Sequence, residues 1–325
     1  MKRFDTSNKI PFSSPRMNWM TYGGIPLGRL IEISGSTSSG KTTTTLDLVA
    51  NAQKLYPDKE VVYVDTENTL DLEWAQLLGV DTDKLILISP KEQSAEWIFQ
   101  QIVEIIQTGE VSVVVLDSIG VMVSQQALGK TIEEDTMGGI SKALTKFVNV
   151  AVGLCKKNNT LFIGINQVRD NVSPYGGGVL TPGGNAWKHN TSVRLQMKQS
   201  SYIDENGKTL GNNAENPQGN LVQANLKKTK VFKNDRRLSF YTLNYTKGID
   251  AVNDAIEMAE QLRVITRSGA FYSIENIGGG EKKIQGKENL KEFLKTEPDL
   301  LDNLLNKVYD VLNGKTTIEK WEENK

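Results

Sequence analysis

The chain has 325 residues, of which 38% are hydrophobic and 24% charged, the composition expected of a globular protein with one large core and a small satellite domain. A net charge of -1 excludes a generally basic packer of nucleic acid, so any such contact must come from positive groups or backbone N–H groups concentrated locally. No run approaches the roughly 18 apolar residues a membrane span needs. The first twelve residues lack the apolar stretch of a signal peptide, and the single cysteine, Cys155, offers no internal disulfide, so no membrane and a cytoplasmic setting are expected.

Residues 1–28 read as a short arm and entry loop that ends in Gly23-Gly24-Ile25-Pro26-Leu27-Gly28. From Leu30 onward short apolar runs alternate with amphipathic stretches, the signature of βαβ repeats around a mainly parallel sheet. The first predicted strand, Leu30–Ile33, runs into Gly35-Ser36-Thr37-Ser38-Ser39-Gly40-Lys41-Thr42, with Thr43 next on the following helix. This is the phosphate-loop pattern in its required strand–loop–helix context. Its glycines let backbone N–H groups wrap a phosphate at a positive helix end. Lys41 would reach the β and γ phosphates of ATP, and Thr42 would ligate Mg²⁺.

The second strand, Val61–Val64, ends in Asp65-Thr66-Glu67. A glutamate just past a strand's carboxyl edge can act as general base on an attacking water, or can be a plain exposed charge. A strand follows at Leu85–Ile88, and then Val113–Leu116, which ends in Asp117 and Ser118. A strand-terminal aspartate downstream of a phosphate loop has the form of a second Mg²⁺-organising group, although such a residue also serves as a helix cap. Met137, Ile140, Leu144, Phe147, Val148, Ala151, Leu154 and Cys155 recur in steps of three and four, one apolar stripe on a helix, with Cys155 a small buried hydrophobe. After the strand Leu161–Ile165, residues 170–184 carry five glycines and two prolines and read as a flexible loop. Residues 200–220 read as a polar surface excursion, and beyond Gly248 two helical patterns flank a short strand at Ala270–Ile274.

Taken in order, these segments resemble the RecA family, including phage recombinases of that class. The resemblance runs from about Ile25 to about Gly314 and includes Asp65-Thr66-Glu67, Leu116-Asp117-Ser118, Thr136-Met137-Gly138, Ile165-Asn166-Gln167-Val168-Arg169, Gly183-Gly184-Asn185 and Lys228-Thr229-Lys230. It implies an α/β fold: a RecA-like P-loop ATPase core (29–248) with a mainly parallel central sheet, a small α+β C-terminal domain (249–315) and a tail (316–325). It implies a DNA-stimulated ATPase that binds single-stranded DNA as a helical filament and exchanges strands with homologous double-stranded DNA.

By the same resemblance Lys41, Glu67, Asp117 and Gln167 are catalytic, with Glu67 the base and Gln167 the γ-phosphate sensor. Asp71 and Trp74 belong at the adenine, and Lys228 and Lys230 reach the neighbouring subunit's ATP. Met137, Lys142, Arg169, Gly183, Gly184 and Asn185 belong to two DNA-binding loops. The chain departs from the family in a shortened N-terminal oligomerisation segment, a longer 200–220 excursion, His189 in place of an aromatic, Asn149 in place of an arginine, and a reduced acidic tail. A regulatory or remodelling ATPase of this fold, a nucleotide-dependent scaffold and a hexameric helicase are the alternatives. The 168–185 loop with both Gln167 and Asn185 favours the recombinase.

Overall fold

The computed structural model describes residues 8–91, 93–128, 139–170, 179–180, 182–205, 207–211, 213–274 and 282–314. The chain opens with β1 (Lys9–Ile10), α1 (Pro15–Met20) and β2 (Ile25–Pro26). The core then runs through β3 (Leu30–Gly35), α2 (Lys41–Leu55), β4 (Glu60–Asp65), α3 (Leu72–Leu77), β5 (Leu85–Ile88), α4 (Ala95–Thr108), β6 (Val111–Asp117), α5 (Gln125–Leu128), α6 (Gly139–Asn158) and β7 (Leu161–Gln167). A two-stranded ribbon, β8 (Arg169–Asp170) and β9 (Val179–Leu180), precedes α7 (Gly184–Asn190). The long strand β10 (Val193–Ile203) follows, with β11 (Thr209–Leu210), β12 (Gly219–Thr229), β13 (Leu238–Asn244) and β14 (Gly248–Ile249).

These strands form one ten-stranded sheet in the order β14-β13-β12-β10-β3-β7-β6-β4-β5, with β11 on β10. From β10 to β5 every neighbouring pair is parallel, while β12, β13 and β14 extend the sheet antiparallel. The central parallel strands β3, β7 and β6 are buried on both faces, β6 at all seven positions, which is why they read as unbroken apolar runs, whereas the edge strand β5 exposes Ile86 and Leu87. All five strands expected from apolar runs are present, extended by one or two residues where polar ends such as Asp65, Asp117 and Gln167 continue the pairing. The antiparallel strands were not foreseen. Their burial alternates position by position, as in residues 193–197 of β10, so no apolar run marks them.

Side chains alternate across the sheet and build two cores. Ile31, Ile33, Ile163 and Ile165 meet α2 on one face, whereas Phe162 and Leu116 meet α4, α6 and Trp187 of α7 on the other. The stripe predicted on α6 is buried at Leu144, Phe147, Val148, Ala151 and Cys155; Met137 lies outside the described residues. Helix α4 is set by its ends: Ser94 accepts from the Trp97 amide at the N-cap, and Gly109 at φ 78° closes the last turn.

Residues 8–28, expected to be an arm, pack onto this core and the C-terminal helices. Ile10, Met17, Met20 and Ile25 are fully buried or nearly so. Ser14 caps α1 and donates its hydroxyl to Asp254 at 2.9 Å. The Arg236 guanidinium lies 3.1 Å from the ring centre of Trp19 and 3.9 Å from that of Tyr22, stacking worth about 0.5–2 kcal/mol per ring according to desolvation.

The C-terminal part comprises α8 (Ala251–Gln261), the antiparallel strands β15 (Ile265–Ser268), β16 (Phe271–Ile274) and β17 (Lys282–Gln285), and helices α9 (Lys287–Thr296) and α10 (Pro298–Leu312), around its own core. The expected helical patterns on either side of β16 are present, as α8 before it and α9 and α10 after it, and of the three strands only β16 was legible in the sequence. Among the described residues no helix is long and apolar enough to cross a membrane.

Candidate nucleotide site and nucleic-acid interface

The carboxyl edge of the parallel sheet brings the expected groups together. β3 ends at Gly35, and Ser36–Gly40 turn the chain into α2. Ser38 (φ 58°) and Gly40 (φ 89°) take left-handed conformations there. A side chain at Gly40 would lie 2.9 Å from Val222 Cγ1, so both conformation and space require glycine. Residues 38–43 line a cleft of about 440 Å³ completed by Trp74, Gln199, Tyr202, Asn220 and Tyr245. Trp74 is half-buried and donates its indole N–H to the Thr43 hydroxyl at 3.3 Å, which fixes its ring beside the cleft. Asp71 caps α3 by accepting from the Trp74 amide at 3.0 Å, and so positions that tryptophan.

Lys41 donates its ammonium to the Ser36 carbonyl at 2.7 Å. Burial pulls its pKa down, opposed by the charges of Asp117 and Glu67. Behind it, the Asp117 carboxylate accepts from the Tyr63 hydroxyl at 2.7 Å and from the Thr42 hydroxyl at 3.4 Å. Burial pushes Asp117 up to about 6; the Tyr63 bond works against this, Glu67 and Asp65 add to it, and Lys41 opposes it. The hydroxyl of Thr42 and the carboxylate of Asp117 are hard oxygen donors of the kind that suit a small divalent cation.

Glu67 sits just beyond β4. Its Oε1 accepts from the Ser118 hydroxyl at 2.5 Å and from the Gln167 amide at 3.1 Å. Among the described residues no group bonds its Oε2. The ends of β4 and β6 are sewn together by Thr66, whose hydroxyl donates to the Asp117 carbonyl at 2.9 Å while accepting from the Ser118 amide at 2.9 Å. The three strand ends that carry Glu67, Asp117 and Gln167 are therefore held to one another before any ligand arrives.

The nucleic-acid candidates gather beside this edge. Gly183 (φ 112°) and Gly184 (φ 70°) start α7. A side chain on Gly183 would lie 3.1 Å from Leu144, and one on Gly184 would lie 3.7 Å from Ser141. The start of α7 thus abuts the start of α6, where Lys142 and Asn185 are both exposed. Arg169 opens the β8–β9 ribbon, where its backbone pairs with Leu180. Lys228 and Lys230 converge on the C-terminal end of α7. Lys228 donates to the carbonyls of Lys188 (2.5 Å) and His189 (2.8 Å), and Lys230 to that of His189 (2.5 Å). Burial, then Lys230 and Arg194, lower the Lys228 ammonium to about 8.

Sequence reasoning missed Tyr63, Ser118, Gln199, Tyr202, Asn220 and Tyr245. Ser118 follows directly on an expected residue and could have been found by adjacency; the others join the site only through the folded sheet.

A glycine loop between a parallel strand and a buried helix, with an aspartate of a nearby strand behind its threonine, is the construction of a P-loop nucleotide-binding ATPase. The RecA N-terminal domain family model matches residues 12–250, and the RecA C-terminal domain family model matches residues 253–313. The RecA protein of Ruminococcus albus is 32% identical over 291 residues, covering 88% of this chain and 68% of that protein. Those of Acholeplasma laidlawii and Mycoplasma mobile are 32% and 33% identical over 289 and 300 residues, covering 82% and 83% of those proteins. The chain belongs to the RecA family. It is a nucleotide-binding, DNA-dependent ATPase and recombinase of that family.

Proposed function

We propose that the chain binds ATP with Mg²⁺, assembles on single-stranded DNA as a helical filament in the cytoplasm, and exchanges that strand with homologous double-stranded DNA. The phosphate groups rest in residues 35–43, with Lys41 released from the Ser36 carbonyl to meet them. The oxygens of Thr42 and Asp117 would hold the Mg²⁺, which would neutralise phosphate charge. The base lies against Trp74, and Tyr202 and Tyr245 line the same cleft.

Glu67 is the general base, with Oε2 directed to the water and Oε1 oriented by Ser118 and Gln167. Gln167 then has a choice of partner: the γ-phosphate when ATP is present, and Glu67 when it is not. That choice is passed into the loop that begins at Arg169 and ends at Gly183-Gly184-Asn185, which with Lys142 and Met137 contacts DNA. Lys228 and Lys230 serve the neighbouring subunit's ATP. The proposed division is an N-terminal segment at 1–28 whose residues 8–28 pack on the core, the ATPase core at 29–248, the C-terminal domain at 249–315 and a tail at 316–325.

The single observation that carries this reading is the Gln167–Glu67 bond, which joins the hydrolytic carboxylate to the first residues of the loop. It is tested by measuring ATP turnover with and without single-stranded DNA over a range of salt. Turnover should rise with DNA, and DNA affinity should fall as salt rises, because phosphate contacts release counterions. Turnover indifferent to DNA at low salt overturns the reading.

A further inference from the structure

We infer that Asn166 is the positioning residue that couples the nucleotide site to the DNA loops. The inference rests on the roles given above to Glu67, Gln167 and Gly183-Gly184-Asn185. Asn166 and Gln167 are consecutive at the end of β7, so their side chains leave the sheet on opposite faces. Gln167 goes to Glu67 on one side. On the other, Asn166 is fully buried and uses both amide hydrogens: one to Glu32 Oε1 at 3.0 Å, the other to the Pro182 carbonyl at 2.8 Å. Both partners are acceptors, so the orientation of the amide is fixed.

Each end of this connection is held. Glu32 is fully buried and its other oxygen is paired with the Arg194 guanidinium, and removing a partner from a buried charge is strongly unfavourable. Arg194 stands directly opposite Lys228 in the β10–β12 register, so the chain of contacts starts beside the interface lysines. Pro182 precedes Gly183-Gly184, and the helix they start is seated on β7 by Trp187, whose ring occupies the space left by Gly164. The Asn166 Oδ1 is buried without a partner among the described residues. A side chain at Gly120, in the turn at 119–121, would lie 3.6 Å from it. A shift of the β7 end when Gln167 changes partner therefore moves Pro182 through one rigid amide, and the start of α7 with it.

A purely structural asparagine would change stability and leave the response to DNA in proportion. The test is Asn166→Leu, close in shape and without either donor. Turnover is measured with and without single-stranded DNA, DNA affinity by anisotropy with a slowly hydrolysed ATP analogue, and hydrogen exchange in residues 182–190 with and without that analogue. The coupling role predicts a drop of about fivefold or more in the DNA stimulation ratio, with DNA affinity kept within about threefold. It also predicts loss of the analogue-induced change in exchange at 182–190. Wild-type stimulation in the variant, or an equal loss of basal and stimulated turnover with the exchange response intact, overturns the inference. If wild-type turnover ignores DNA, the functional reading fails, and the exchange comparison still decides the coupling. If Asn166→Leu does not fold, Asn166→Ser, whose single hydroxyl cannot serve both acceptors, is held to the same outcomes.

Discussion

Replacing Gly164 with alanine tests how α7 is seated on the sheet. Gly164 lies within β7, and an added Cβ would lie 2.6 and 2.7 Å from Trp187 ring atoms and 2.7 Å from Ile119 Cδ1. Three contacts this short cannot be absorbed by one flexible side chain. The indole is fully buried, with the Phe162 ring set edge-on to it at 6.1 Å and Gly183 closing another side. Overpacking of this kind costs about 1–3 kcal/mol. At roughly 2–4 °C per kcal/mol for a domain of this size, the melting temperature should fall by about 4–8 °C for a middle value of about 2 kcal/mol. Because Trp187 belongs to the helix that begins at Gly184, its displacement should also weaken single-stranded DNA binding several-fold while nucleotide affinity stays unchanged. Thermal melting, DNA anisotropy and titration with a fluorescent nucleotide read the three effects separately. Adding Trp187→Leu should recover part of the lost stability, since the clash is with the ring. A melting temperature equal to wild type would refute the packing argument.

The other predictions follow from the same geometry. Lys41→Ala should abolish hydrolysis by leaving phosphate charge uncompensated, whereas Glu67→Gln should keep ATP bound and lose most turnover; if the glutamine variant fails to bind nucleotide, Glu67 is structural. Lys228→Ala should lose DNA-stimulated turnover, and mixing it with Lys41→Ala should restore part of it at interfaces that pair an intact loop with intact lysines; inactive mixed filaments would sink the role in trans. Burial raises Asp254 to about 7 and Asp47 to about 6, well above the ordinary carboxylate value. The folded state thus holds more protons than the unfolded one between roughly pH 4 and 7, and stability should fall as pH rises through that window. Asp254→Asn, which keeps an acceptor for Thr242, should flatten the dependence in urea titrations, and an unchanged slope would exclude Asp254 as its source.

The phosphate loop, the strand-end carboxylates and the α6 stripe were legible because each signal is local: a few residues whose spacing fixes strand, turn or helix face. The antiparallel half of the sheet was not, because buried and half-exposed positions alternate over residues 193–197 of β10 and 220–226 of β12, and the two strands are joined by a polar hairpin. The docking of residues 8–28 depends on Asp47, Asp254 and Arg236, far away in the chain, so short polar segments there read as an arm. Asp71 shows a local signal of another kind. Its place before α3 makes it a helix cap, and its influence on the cleft runs through Trp74. The contacts among Glu32, Asn166 and Arg194 join three separate strands, and no spacing within one segment could announce them.

The central claim, that this ATPase exchanges strands, is tested most directly by incubating it with ATP, Mg²⁺, single-stranded DNA and a duplex carrying a fluorophore and quencher on opposite strands. Homologous single strands should displace the labelled strand and raise fluorescence, and heterologous strands should not. Turnover stimulated by DNA with no displacement under any homologous pairing would contradict the account and leave a remodelling or regulatory ATPase of the same fold.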